Sequence, residues 1–166
     1  GQFSQAMLDH YRRIVDGCRA RGLTPLVTYS HFTAPRWFSA QGGWTNAESA
    51  DLYARYAERV TRALGNAIHS VITFNEPNIL LLLRTALPQQ VWDLQKLTLD
   101  TAARRLGVEH FVSANVAALE DLPALQAGLA AAHVAGKAAI KAVRGDLPVG
   151  LSLAMFDDQA VGRHSI

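Results

Sequence analysis

Val71-Ile72-Thr73-Phe74-Asn75-Glu76-Pro77 is a short β-branched and aromatic run that ends in a carboxylate and a proline. Such side chains fit a pleated, half-buried strand. Pro77 lacks the N–H that a ladder needs, so pairing stops just past Glu76. Helical periodicity lies on both sides of this run. Upstream, Leu52, Tyr53, Tyr56, Ala57, Val60 and Leu64 recur at helical spacing, and Gly65 closes the segment. Thr45-Asn46-Ala47-Glu48 fits a capping box that opens it. Before it comes a second strand at residues 25–30, preceded by a helix at 4–21. That helix carries a stripe of Met7, Tyr11, Ile14, Val15 and Cys18, with Gly22 as its C′ residue. Downstream, helices are predicted over 91–106 and 122–144, and a last strand over 148–156. The second of these helices is Ala-rich, and its small residues, Ala132 and Gly136 among them, allow close approach to a sheet.

The order αβ–αβ–ααβ predicts an α/β fold, three parallel strands with helices packed on them. Helix-to-strand connections are short. Strand-to-helix connections are long and carry Trp, His, Asn and Glu. Parallel α/β proteins place their chemistry on the latter, at the carboxyl ends of the strands. The candidate segments therefore begin at His31, Asn75 and Asp157.

Composition narrows the classes. With 166 residues, 49% of them apolar and 18% charged, the chain is one folded domain rather than a disordered segment. A net charge of +2 lacks the basic footprint of a nucleic-acid binder. The longest apolar run, residues 79–83, is too short to cross a membrane, and no basic-then-apolar leader opens the sequence. The single cysteine, Cys18, lies on an apolar stripe, which fits packing in a reducing compartment, and a cytoplasmic location is expected. The histidines show no close pairing, and neither a Gly-rich phosphate loop nor a G-x-S-x-G elbow occurs. No metal and no cofactor are expected.

Glu76 is the sharpest chemical candidate. A carboxyl at a strand's end, beside aromatic neighbours and the Asn75 amide, can act as a general acid. An arbitrary glutamate more often caps a helix or joins a salt bridge. His31 ends the preceding strand. Tyr29, Phe32, Trp37 and Trp44 are individually ordinary core or rim residues, yet together they form a wall on which pyranose C–H faces can stack. Asp157 and Asp158 read as loop-solvating residues rather than a second carboxylate.

At these residues the chain resembles the family 1 glycoside hydrolases, the retaining β-glucosidase and β-galactosidase group. Residues 26–38 (LVTYSHFTAPRWF) resemble that family's third barrel strand. Gly42-Gly43-Trp44 resembles its G-G-W, and residues 73–78 match its T-F-N-E-P-N. Ala132-His133 and then residues 149–153 resemble the approach to the fifth strand. The resemblance implies a partial (β/α)₈ TIM barrel, with residues 1–166 as a single incomplete segment of three strands. It implies Glu76 as acid/base, with Asn75 and His31 contacting sugar hydroxyls, on a β-glycoside or oligosaccharide substrate. Trp44 would be a structural or rim residue. The seventh-strand nucleophile motif is missing, so the isolated chain is expected to be weak or inactive. The alternative is a non-catalytic carbohydrate-binding or interaction fragment. A complete barrel takes about 250 residues. Three strands open at both edges therefore predict self-association through those edges.

Overall fold

The computed structural model describes residues 2–157. Helix α1 (Gln5–Arg19) leads into strand β1 (Leu26–Ser30). Helices α2 (Arg36–Ala40) and α3 (Ser49–Leu64) lead to β2 (Ser70–Asn75). Helices α4 (Ile79–Ala86), α5 (Gln89–Leu106) and α6 (Leu122–Val143) precede β3 (Val149–Ser152). The strands form one parallel sheet in the order β1-β2-β3, with Val27 opposite Val71 and Val71 opposite Val149. Parallel neighbours need a crossover, and each crossover here is helical. The α/β order read from the sequence is found, with α2 and α4 added to it.

Local chemistry explains most boundaries. Ser4 caps α1, its hydroxyl accepting from the Met7 N–H at 3.3 Å, and Gly22 follows the helix at φ +75 as the expected left-handed residue. The capping box expected at residues 45–48 is not formed. Thr45 sits in a 3₁₀ turn (Gly43–Thr45) and its hydroxyl donates back to Gly42 O, while Asn46 Oδ1 accepts from the Glu48 N–H, so α3 opens only at Ser49. An Asx turn has taken the place of the cap, a competition built into Asn and Thr side chains. Residues 79–86, read as connection, are helical because Leu80 is buried and Ile79 and Leu83 pack against the core.

Helices α3 and α6 lie side by side on one face of the sheet. Tyr53, Ala57, Val60 and Leu64 from α3 meet Leu125, Leu129, Ala132 and Ile140 from α6 over Val71. The small-residue face of α6, expected against the sheet, meets α3 more widely than β2. The bulk of Tyr53 demands it: a Cβ at Gly136 would stand 2.5 Å from that ring. Among the described residues, the opposite face of the sheet carries no helix, and Leu26 is 58% exposed there. On α1 only Val15 is buried, and Met7, Tyr11 and Ile14 stay exposed because the sheet ends at β1. Among the described residues, both β1 and β3 present a free edge, whereas parallel sheets ordinarily bury both faces.

One prediction arises from this packing. His133 on α6 pairs with the buried Thr73, and burial, reinforced by the Lys137 charge, holds its imidazole below the usual histidine range. The folded chain thus binds fewer protons than the unfolded one in the window just below the ordinary value of 6.5. Stability is expected to fall as pH drops through that window, and the slope to flatten in His133→Gln. Thermal melts from pH 7.5 to 5 read the slope directly.

Candidate active site

The end of β2 departs from simple alternation. Between Ile72 and Asn75 three steps of β2 run against two of β3, from Gly150 to Ser152, so β2 carries one extra residue. Such a bulge re-aims the side chains beyond it. Thr73 and Phe74, adjacent in sequence, are consequently both buried against the helices. Phe74 stacks on Tyr53 at 4.5 Å and meets Trp44 edge-on at 5.1 Å. The Thr73 hydroxyl donates to Gly150 O at 3.2 Å, which leaves its oxygen to accept from His133 Nδ1–H at 2.8 Å. Tyr53 O–H donates to Thr73 O at 2.6 Å, and burial pushes that phenol well above its usual range, so it remains a donor.

Above the bulge, Asn75 and Glu76 come together on one small cavity of about 20 Å³. Ser30, Phe32 and Asn115 share its wall, with Trp44, Phe74, Leu125 and Leu129 beneath. Glu76 is half-buried, and its carboxylate forms no hydrogen bond or ion pair with any other described residue. Its backbone sits at φ +46, in the left-handed region, with its N–H donating to Ser152 O at 2.7 Å and its carbonyl accepting from the Ile79 N–H. Gln126 of α6 donates to Pro77 O at 2.9 Å. Asn78 brackets Ala154, donating from Nδ2 to its carbonyl at 2.9 Å and accepting its N–H on Oδ1 at 3.0 Å. The turn after β2 is therefore held from β3's extension and from α6 together. Asn78 belongs to the motif that drew attention to Glu76; nothing in the sequence marks Gln126 or Asn115.

The other candidates divide. His31 lies at the same end of the sheet but is exposed, its ring edge-on to Phe32 at 5.2 Å, and it is not part of the Glu76 cavity wall. The aromatic wall expected from Tyr29, Phe32, Trp37 and Trp44 is assembled only in part: Tyr29, Trp37 and Trp44 line one cavity together, and Phe32 does not join them. Tyr29 and Trp44 are core residues, the first bonded to the Thr61 hydroxyl at 2.9 Å and the second packed on Phe38 and Tyr53. Phe32 lines the Glu76 cavity, whereas Trp37 lines a different one. Asp157 is exposed past β3, and Asp158 lies outside the described residues. No second carboxylate lines the Glu76 cavity among the described residues, and none of their His, Cys, Asp and Glu side chains group to hold a metal.

The larger cavity, about 460 Å³, lies beside β1 between residues 2–4, Trp37 and Tyr56. Size alone would make it the default binding site. It holds no carboxylate and none of His31, Asn75 and Glu76, so the chemistry belongs to the smaller one. The Arg144–Asp146 pair, whose arginine lowers the Asp146 carboxyl to about 2, sits just before β3, at the opposite end of the sheet. It ties α6 to Gly65 and is structural. Among the described residues, no helix is long and apolar enough to cross a membrane.

The chain is similar to known proteins in sequence and in fold. The model of glycosyl hydrolase family 1 matches residues 1–113. The β-glucosidase of Agrobacterium sp. is 40% identical over 77 residues, 46% of this chain and 17% of that protein. The cytosolic β-glucosidase of Cavia porcellus is 36% identical over 80 residues, 48% of this chain and 17% of that protein. Among solved structures, β-glucosidase 1317 superposes with a TM-score of 0.86 at 35% identity, covering 92% of this chain and 38% of that one. β-Glycosidase BGL167 gives 0.79 at 40% identity, covering 93% and 37%. The chain thus spans well under half the length of the proteins it resembles, and its three strands correspond to part of a TIM barrel. The ends of β1 and β2, the bulged residues of β2 and the Asn75–Glu76 pair all fall within the stretch that the family model matches: the chain belongs to glycosyl hydrolase family 1.

Proposed function

We propose that this chain supplies the acid/base half of a retaining β-glycosidase site, with Glu76 as the proton donor. The observation that carries this reading is the Glu76 carboxylate, half-buried beside Asn75 at the carboxyl end of β2 and held by no described partner. Glu76 protonates the departing glycosidic oxygen, and a second carboxylate about 5–5.5 Å away attacks the anomeric carbon. Glu76 then takes the proton of the water that releases the sugar. Asn75 bonds the 2-hydroxyl, and His31 reaches another ring hydroxyl of a β-glucoside-like substrate. The second carboxylate comes from outside residues 2–157, so the isolated chain turns over slowly. Its open β1 and β3 edges favour self-association. The name of the guinea-pig relative supports a cytoplasmic setting.

The size of the Glu76 cavity favours one other reading. At about 20 Å³ it holds about one water molecule. A fragment that only rests a sugar on that surface would bind without catalysis. Purified protein and its Glu76→Gln variant, each assayed with an aryl β-glucoside and titrated calorimetrically with glucose, separate the two. Turnover lost in the variant supports the acid/base role, whereas glucose binding without turnover in either protein supports the binding fragment. Neither turnover nor binding overturns both.

A further inference from the structure

We propose that Asn78 is a positioning residue for Glu76: its side-chain amide continues the β2–β3 seam past Pro77 and clamps the turn that holds Glu76 left-handed. The proposal rests on the reading of Glu76 as the proton donor.

The last backbone bond between the two segments is Glu76 N–H to Ser152 O. Pro77 has no N–H to continue it. Two residues on, Asn78 meets Ala154, two residues past Ser152, and pairs with both its N–H and its C=O. The stagger of Glu76 with Ser152 is thus repeated, a primary amide standing in for a peptide group.

A second observation makes this more than a chance contact. Asn78 is the N-cap residue of α4, where an asparagine side chain ordinarily accepts from the N–H groups of the first turn. Here it makes no such bond, although Leu81 and Leu82 bond its backbone carbonyl. The amide has been turned from its local partner to one 76 residues away. Between the seam and this clamp lies Glu76 at φ +46, a conformation that a non-glycine residue holds only when several contacts over-determine it.

The test uses Asn78→Leu and Asn78→Asp in the full chain, read by NMR. Backbone ¹³C shifts report the φ of residue 76, and amide exchange reports the Glu76 and Ala154 N–H groups. Asn78→Leu is expected to speed exchange at both amides about tenfold, the equivalent of one to two net hydrogen bonds, and to move the Glu76 shifts out of the left-handed range. Val71, in the core of the sheet, stays protected. Asn78→Asp behaves alike at neutral pH, because a carboxylate cannot donate to Ala154 O. As acid protonates the new carboxyl, its O–H and C=O reproduce the amide's donor and acceptor, and both readouts return; the unsubstituted chain shows no such recovery. Glu76 shifts unchanged in Asn78→Leu would overturn the proposal even if Ala154 exchanged faster, since Asn78 would then hold only β3's extension. Loss of Val71 protection in step with Glu76 would equally overturn it, as general unfolding. None of these readouts needs turnover. Should Glu76→Gln leave hydrolysis unchanged while the NMR signature holds, the clamp stands and the acid/base reading fails.

Discussion

With the second carboxylate supplied to complete the site, hydrolysis of a β-glucoside with a poor leaving group, such as the methyl glycoside, is expected to fall about 10²–10⁴-fold when Glu76 is replaced by glutamine. Dinitrophenyl β-glucoside is expected to lose far less in the bond-cleavage step. An alkoxide must be protonated as it departs, whereas dinitrophenolate leaves unaided. The substitution changes one atom, and the Glu76 carboxylate bonds no described residue, so stability should move by no more than about 0.5 kcal/mol. The second half of the reaction gives a separate sign. Glutamine cannot take a proton from water, so glycosylated protein accumulates and an anionic nucleophile such as azide restores release. The comparison is a ratio between substrates, read from kcat/KM, which reports the bond-cleavage step alone. Equal losses for the methyl and dinitrophenyl glycosides would mean that Glu76 does not deliver the proton.

Gly128→Ala is the largest stability effect expected. Helix propensity alone makes it favourable: a mid-helix glycine costs about 1 kcal/mol relative to alanine. The packing reverses the sign. A Cβ at Gly128 would stand 1.8 Å from Trp44 O and 2.9 Å from Trp44 C, backbone atoms that no rotamer change can move. Either α6 or the Gly43–Thr45 turn must shift, and both belong to the core that Trp44 shares with Phe38, Tyr53 and Phe74. A loss of about 3 kcal/mol or more is expected, the upper end for overpacking. Gly17→Ala in α1 is the control, because its Cβ would meet only Arg21 Nη1, at 3.5 Å. It is expected to stabilise by about 0.4–1 kcal/mol. Urea midpoints of the two variants should move in opposite directions, and a gain in Gly128→Ala would contradict the α6 packing described above.

Much of the architecture was legible because its signals are local. Pro77 and the β-branched run before it mark the end of β2 in any context, and Gly22 marks the end of α1 through its own conformational freedom. Glu76 and Asn75 were legible for the same reason, since a strand followed by proline presents its last polar residues at the sheet's carboxyl end. Competing local options were harder. Thr45 and Asn46 satisfy a capping-box pattern and a turn equally well, and the turn was selected by the neighbours of Trp44. Tyr29 and Trp44 had the composition of a sugar-stacking wall but were drawn into the core by Thr61, Phe38 and Tyr53.

The sequence by itself determined the order of elements, the parallel sheet they imply and the strand end that carries Glu76, because apolar periodicity and proline act over a few residues. Tertiary structure alone decided the bulge that buries Thr73 and Phe74 together, the union of Asn78 with Ala154, and the exclusion of His31 from the Glu76 cavity. Each depends on partners more than 35 residues away, β3 and α6 above all, whose approach is set by Tyr53 and by the glycines that let helices close on it.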